Sequence, residues 1–359
     1  MLILGIETSC DETAAAVIEE KNGRFSVLSN IVSSQIKIHA PWGGVVPNLA
    51  AREHLKNILP VIETSLKEAG ISIDDIDLVS LTSGPGLIPA LLIGVNTART
   101  VAFVFNKPLI GVHHIEGHIY ASLLESSKKS NNYRILNEID FPALALVISG
   151  GHTQLVLMKK HLSYEIIGTT LDDAAGEAFD KVARILGFSY PGGPIIADWA
   201  EKFQKTSFTD IKLPRPMINA KNLDFSFSGL KTAVLYTIKK NPEILKNNGR
   251  LSQISHEFQQ AVSDVLISKT VKAAQKYGPK TIILAGGVSA NKEIRKQLGE
   301  AIAQKLPGIK YLIPDIKYSV DNAAMIAVAG YFRWKNETNK NKFKNSWKSI
   351  NADANLKLK

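Results

Sequence analysis

Short apolar runs, each closed by a polar or glycine turn, alternate along this chain with longer stretches of helical period. Leu2 to Ile6 reads as a strand, Glu7 to Thr13 as a polar turn, and Ala14 to Ile18 as a second strand. Asn22-Gly23 then signals a tight turn into a third strand, Arg24 to Val32. Pro47 to Ala69 has helical period, with Pro60 as an expected kink or break. Asp77 to Thr82 is a strand. The Ser83-Gly84-Pro85-Gly86 corner after it reads as a plain tight turn in preference to an anion site. Ile88 to Phe105 is apolar nearly all round, which predicts a buried helix. Leu109 to Val112 is a strand that runs into His113-His114-Ile115-Glu116-Gly117-His118 and a helical stretch through Leu124. Ser126 to Asp140 is polar, basic and aperiodic, as expected of an exposed connection.

The opening pattern then returns. Pro142 to Ser149 is an apolar strand, Gly150-Gly151-His152-Thr153 a turn, and Gln154 to Met158 a second strand. The shared form of residues 2–18 and 143–158 reads as an internal duplication. Two α/β halves whose hairpins turn towards a common cleft define an actin-like, sugar-kinase-like architecture. Residues 1–112 form the expected first lobe, and 113–320 the second, with helical insertions. A helix at 321–335 returns near the cleft, and 336–359 is an expected mobile, basic tail with Trp347 docked at most locally.

Candidate chemistry sharpens this outline at a few points. On a helix, His114 and His118 stand about 40° apart, so both imidazoles can reach one metal ion, the alternative being two partly buried histidines with satisfied hydrogen bonds. Glu116 faces elsewhere; it stands neither directly after the first His nor directly before the second, as the two protease patterns require. Asp321, ahead of an apolar helix, reads as an N-cap or as the carboxylate that completes a site for iron(II) or zinc. Asp172 or Asp173 is an expected N-cap of the helix that follows, with Asp173, Glu177 and Asp180 near one face. Gly193, preceding Pro194, is expected to be extended, with its N–H and C=O open to a ligand. Phe225 to Thr232 opens a helix and can cap it or take a phosphate. Ser252 to Tyr277 is a long amphipathic helix. The strand Thr281 to Leu284 leads into Ala285 to Asn291, a nucleoside-type corner, and Lys310 to Ile313 is a last strand.

Composition narrows the setting. Hydrophobic residues at 45% and charged residues at 21% over 359 residues suit a globular chain with room for two cores. The net charge of +10 suits a polyanionic partner such as nucleic acid. One cysteine, Cys10, leaves no internal disulfide and no Cys-rich zinc site. The apolar start lacks a basic flank and a cleavage motif, and no run reaches membrane-spanning length, so a cytoplasmic location is expected.

Together the motifs resemble the TsaD (Gcp) family in its bacterial form. The matching stretches are Gly5 to Thr13, Lys107 to His118, Ser149 to Thr153, Asp172 to Lys181, Ser226 to Lys231, Ala285 to Asn291 and Asp321 to Ala327, in family order. The resemblance implies an actin-like (ASKHA) fold. It implies transfer of a threonylcarbamoyl group from threonylcarbamoyl-AMP to N6 of adenosine 37 in tRNAs reading ANN codons. It makes His114, His118 and Asp321 the ligands of iron(II) or zinc. It places the adenylate against Val147, Ile148, Ser149, Gly150, Gly151, Asp180, Gly193 and Asn291, and implies TsaB and TsaE as partners. Asp11 or Glu12, in the first turn, is the expected acceptor of the amine proton. The chain departs from the family pattern at Ala197, where members often carry Asp and this chain has Asp198 next to it, and in its tail beyond Lys335. A metalloprotease, an ATPase or sugar kinase, and a non-catalytic tRNA-binding scaffold are the rival readings.

Overall fold

The computed structural model describes residues 1–124, 139–204 and 210–359. Most of the connection expected at 126–140 lies outside them. In the first lobe, β1 (Leu2–Glu7), β2 (Glu12–Lys21) and β3 (Arg24–Ser34) form an antiparallel meander. Asn22 and Gly23, at φ +53° and +77°, make the turn that the Asn-Gly signal predicts. After α1 (Ile36–His39) and α2 (Pro47–Ala69), β4 (Leu78–Gly84) pairs parallel to β1. Helix α3 (Ile88–Val104) returns the chain to β5 (Leu109–His113), parallel to β4, and α4 (His114–Tyr120) follows without a loop. The sheet order is β3-β2-β1-β4-β5.

The second lobe repeats this plan. β6 (Ala143–Ile148), β7 (Thr153–Lys160) and β8 (Ser163–Thr169) are the meander. Helices α5 (Ala175–Ile185), α6 (Gly192–Glu201), α7 (Ser228–Lys240) and α8 (Asn248–Tyr277) lead to β9 (Thr281–Ala285). Helix α9 (Lys292–Lys305) precedes β10 (Lys310–Leu312), and α10 (Ile316–Ser319) and α11 (Ala323–Asn336) complete the order. The second sheet runs β10-β9-β6-β7-β8. With β6 in the place of β1 and β9 in the place of β4, this is the same topology, as the duplicated pattern predicts.

Side-chain alternation sorts the layers. Ala143, Ala145 and Val147 of β6 face a core shared with Ile3 of β1, α4 and α11, while Leu144, Leu146 and Ile148 face the helices of the second lobe. Leu4 and Ile6 of β1 face α2 and α3. Helices α4 and α11 therefore lie between the two sheets. Glycine permits one close approach there: a Cβ on Gly5 would lie 2.1 Å from the Ala323 carbonyl oxygen.

Three expectations change. Helix α3 buries only the face carrying Ala90, Leu91, Gly94, Val95, Ala98 and Ala102; Ile88, Leu92, Phe103 and Val104 are exposed. A helix apolar on all sides has no period to mark which face packs. Gly193 is helical, in the first turn of α6. The clash that keeps most residues before proline extended involves Cβ, which glycine lacks, and Pro194 sits where its missing N–H is not needed. The tail, expected to be mobile, is docked on the first lobe. Asp353 N donates to Ser83 O at 2.8 Å, Ser346 Oγ to Leu109 O at 2.5 Å, and Trp347 packs on Phe103 at 4.8 Å. Apolar Trp347, Ile350 and Leu358 among the lysines anchor it. No helix of the described residues is long and apolar enough to cross a membrane.

Candidate active site in the cleft

Strand β5 delivers His113 to the start of α4 as its N-cap. His113 Nδ1 accepts from Ile115 N at 3.2 Å, and Nε2 donates to Leu356 O at 2.9 Å. Burial pushes His113 down to about 4, so it is the neutral tautomer these bonds require. One helical turn then projects His114 and His118 to one side, with ring centroids 4.6 Å apart. Asn322 is the N-cap of α11, accepting from Met325 N at 3.0 Å. Asp321, expected as cap or ligand, is thereby released from capping. Its Oδ1 lies 3.6 Å from His114 Nε2 and 3.1 Å from His118 Nε2.

One donor atom from each of His114, His118 and Asp321 falls within 4.8 Å of the other two. His118 is fully buried, and neither of its ring nitrogens has an aligned hydrogen bond among the described residues. A buried imidazole left unsatisfied is costly unless something else binds it. Two imidazoles and a carboxylate are a donor set for iron(II) or zinc, so these residues fit such an ion. Charge supports the same conclusion. Burial opposes ionisation of His114, but Asp321 and Glu7 lift it to about 9. Burial likewise opposes the Asp321 carboxylate, but His114 and His118 hold it down at about 2. The pocket thus demands positive charge facing Asp321, which a proton or a metal ion satisfies.

Glu116 is fully buried and takes two bonds from Arg333, at 2.6 Å from Nε and 2.8 Å from the second guanidinium nitrogen. It ties α4 to α11 and is closed off as a general base, which removes the basis of the protease reading.

The glycine turn of the second lobe lies across the cleft. Ser149 N donates to His152 O at 2.8 Å, and His152 N to Ser149 Oγ at 3.1 Å. Gly150 and Gly151 are exposed, and a Cβ on either would meet nothing within 4 Å. Packing therefore does not require these glycines, whereas close approach of a ligand to the main chain does. Val147 and Ile148 put their side chains into the two cores, so this motif offers a ligand its turn. His152 is pushed down to about 4, by burial first and then by His114 and His118, which places it in the field of the metal-type cluster.

Asp11 is buried, and burial together with Asp11 raises Glu12 well above the carboxylate range. The Glu12 side chain is hydrogen-bonded to Asp11. Asp180 of α5 is raised by burial and accepts from Gly192 N at 2.7 Å. Tyr190, which precedes Gly192, is raised by burial and then by Asp11 and Asp180, so it faces the same acidic rim. Asn291 caps α9 through Oδ1, 3.0 Å from both Glu293 N and Ile294 N, and its Nδ2 donates to Gln259 Oε1 at 2.8 Å. Asp198 is exposed on α6 and Ala197 half-buried.

Two anion-site readings close. The α7 N-terminus at Phe225 to Thr232 is occupied by Asp172, which accepts from Phe227 N at 2.8 Å and Ser226 Oγ at 2.6 Å. Ala174, not Asp172 or Asp173, is the N-cap of α5; Asp173 pairs with Lys181 and Lys231. The Gly84-Pro85-Gly86 corner packs on Ser9 and Asp353, as a plain turn does. Glu7, Ser9 and His152 are visible in the sequence only as members of the two turns, without individual roles, and Thr82 and Arg333 carry no signal there. For Glu7 the available signal was a charged residue closing an otherwise apolar strand.

Fold and site define a duplicated, two-lobed α/β protein with a His/His/carboxylate cluster in the cleft, facing an open glycine turn. The chain belongs to the TsaD family of tRNA N6-adenosine threonylcarbamoyltransferases, whose family model matches residues 26–328. It is 51% identical over 334 residues to the tRNA N6-adenosine threonylcarbamoyltransferase of Bacillus subtilis, covering 92% of this chain and 90% of that one. It is 50% identical over 338 residues to that of Persephonella marina, covering 93% and 91%. Among solved structures, HypF from T. kodakarensis shares the fold, with a TM-score of 0.60 at 13% identity over 96% of this chain and 49% of that one. The protein is thus a transferase of actin-like fold acting on tRNA.

Proposed function

We propose that the cleft binds threonylcarbamoyl-AMP and passes its acyl group to N6 of adenosine 37 in tRNAs reading ANN codons. The observation that carries this reading is the buried, unsatisfied His118 beside His114 and Asp321, opposite the open Gly150-Gly151 turn. His114, His118 and Asp321 would hold iron(II) or zinc, which when bound supplies Lewis-acid charge to an oxygen of the donor.

The protein's own residues do the rest. The Ser149 to Gly151 turn admits the adenylate close to the main chain. Gly193, at the start of α6, presents a second small surface near Asp180. Asn291 acts here by fixing the corner after β9, since both ends of its amide are engaged. The N6 amine attacks the carbamoyl carbon, the bond to the phosphate oxygen breaks, and AMP leaves. The proton released from N6 goes to Asp11, and burial favours the protonated form of Glu12 beside it. TsaB and TsaE are the partners that the family resemblance implies. The exposed apolar Leu55, Leu59, Phe103 and Val104 on α2 and α3 give such a partner a surface to cover.

Removal of the metal tests this reading. Single-turnover transfer from threonylcarbamoyl-AMP to tRNA, with partners present, is expected to stop after chelation and to return with iron(II) or zinc. Undiminished transfer by thoroughly chelated protein would contradict it.

A further inference from the structure

Glu7 closes β1 with a side chain that is fully buried. No lysine or arginine pairs with it among the described residues. Its Oε1 accepts from Ser9 N at 2.5 Å, and its Oε2 from Thr82 Oγ1 at 2.6 Å. The same Oε2 lies 3.1 Å from His114 Nδ1. A glutamine would turn an amide N–H, a donor, either to Ser9 N or to Thr82 Oγ1 and His114 Nδ1, so the carboxylate is the side chain that accepts at both ends.

The Glu7 contact governs which nitrogen of His114 faces the metal-type cluster. An imidazole ligates only through a nitrogen that carries no proton. Ser9 Oγ also lies 3.1 Å from His114 Nδ1, and a hydroxyl either donates or accepts. If Ser9 donated, Nδ1 would be bare, the proton would sit on Nε2, and the face towards Asp321 would be blocked. An ionised carboxylate can only accept. With Glu7 in place Nδ1 keeps its proton, so Nε2, the nitrogen facing Asp321, is the one that gives up its proton when a metal ion binds. His118 has no such partner on its Nδ1, so the two imidazoles are not equivalent.

We infer that Glu7 is a positioning residue that orients His114 with Nε2 towards the metal site, with Thr82 holding Glu7 in place and Ser9 as the competing partner. This rests on the metal reading proposed above, and the test separates the two. Zinc affinity of the full-length protein is measured by competition with a chromophoric chelator, for the wild type, Glu7→Gln and Thr82→Val. The Nδ1–H proton of His114 is followed by ¹⁵N-edited NMR in the zinc-loaded protein.

Glu7→Gln is expected to weaken zinc binding by about 10–100-fold, the usual effect of losing a carboxylate behind a ligand histidine. Thr82→Val is expected to weaken it by a smaller factor. The wild type should show a slowly exchanging Nδ1–H. Wild-type zinc binding with no Nδ1–H on His114 overturns the inference, whatever the folding of the variants. So does equal zinc affinity of the wild type and a folded Glu7→Gln. A wild type that binds neither zinc nor iron(II) overturns the metal reading, and this inference with it.

Discussion

Asp11 and Glu12 stand side by side in the first turn, and the proposed transfer gives them unequal tasks. Burial and the neighbouring Asp11 charge shift Glu12 towards its protonated form, which makes Asp11 the proposed proton acceptor. Asp11→Asn is expected to lower the single-turnover rate by about 100-fold or more, within the range for a lost general base. Glu12→Gln preserves a donor to Asp11 and should cost less than ~10-fold. Equal losses in the two variants would contradict this assignment. The metal-free site has its own pH signature. His114, lifted from 6.5 to about 9, contributes stability that is present below about 6.5 and lost as pH rises through 9. Asp321, lowered from 3.8 to about 2, contributes stability that is present above about 4 and lost as pH falls through 2. In chelated protein, denaturant midpoints of the wild type and His114→Gln should differ most between pH 4 and 6.5 and converge by about pH 9.5. A pH-independent difference would count against the charge balance described. At this scale the sequence showed a great deal. The spacing of His114 and His118 and the isolated Asp321 were legible because helix period is local. Glu7 was not, because its partners His114 and Thr82 lie 107 and 75 residues away.

Two helices between the sheets carry the site. Asp321 stands just ahead of α11, and the approach of Gly5 to Ala323 sets the depth of that helix. Gly5→Ala must push α11 outward and is expected to cost about 3 kcal/mol in stability, the upper end for overpacking. Zinc affinity should fall with it, as read by chelator competition. A variant with wild-type stability and affinity would show that α11 is not held this way. Glu116 and Arg333 join α4 to α11 from the other side. Arg333→Met leaves a buried carboxylate unpaired and should cost about 2–3 kcal/mol by chemical denaturation, less than a fully buried pair because Arg333 is 36% exposed. Element type was legible wherever period was clean, as in the β6–β7 hairpin and α8. Faces were not legible where all sides are apolar, as on α3. Nor was the docking of the tail, where few apolar residues sit among many lysines. Gly193 is helical against the rule for residues before proline because that rule assumes a side chain.

At the scale of the molecule, two copies of one topology face each other, and their turns meet at the cleft. The first copy supplies Glu7 to Glu12 and the second supplies Ser149 to His152, at equivalent corners of the two sheets. The duplication was legible because the same strand-turn-strand pattern recurs. The close packing of α4 and α11 between the sheets was not, because it joins residues far apart in the chain. The proposed site is one cleft, with His114 at its centre, for the transfer to tRNA. The most direct measurement is mass spectrometry of nucleosides from tRNA incubated with threonylcarbamoyl-AMP, the partner proteins and either wild type or His114→Ala. Threonylcarbamoyladenosine formed by the wild type and absent with a folded His114→Ala is the predicted result. Equal product from both proteins would contradict the role of this cluster in the reaction.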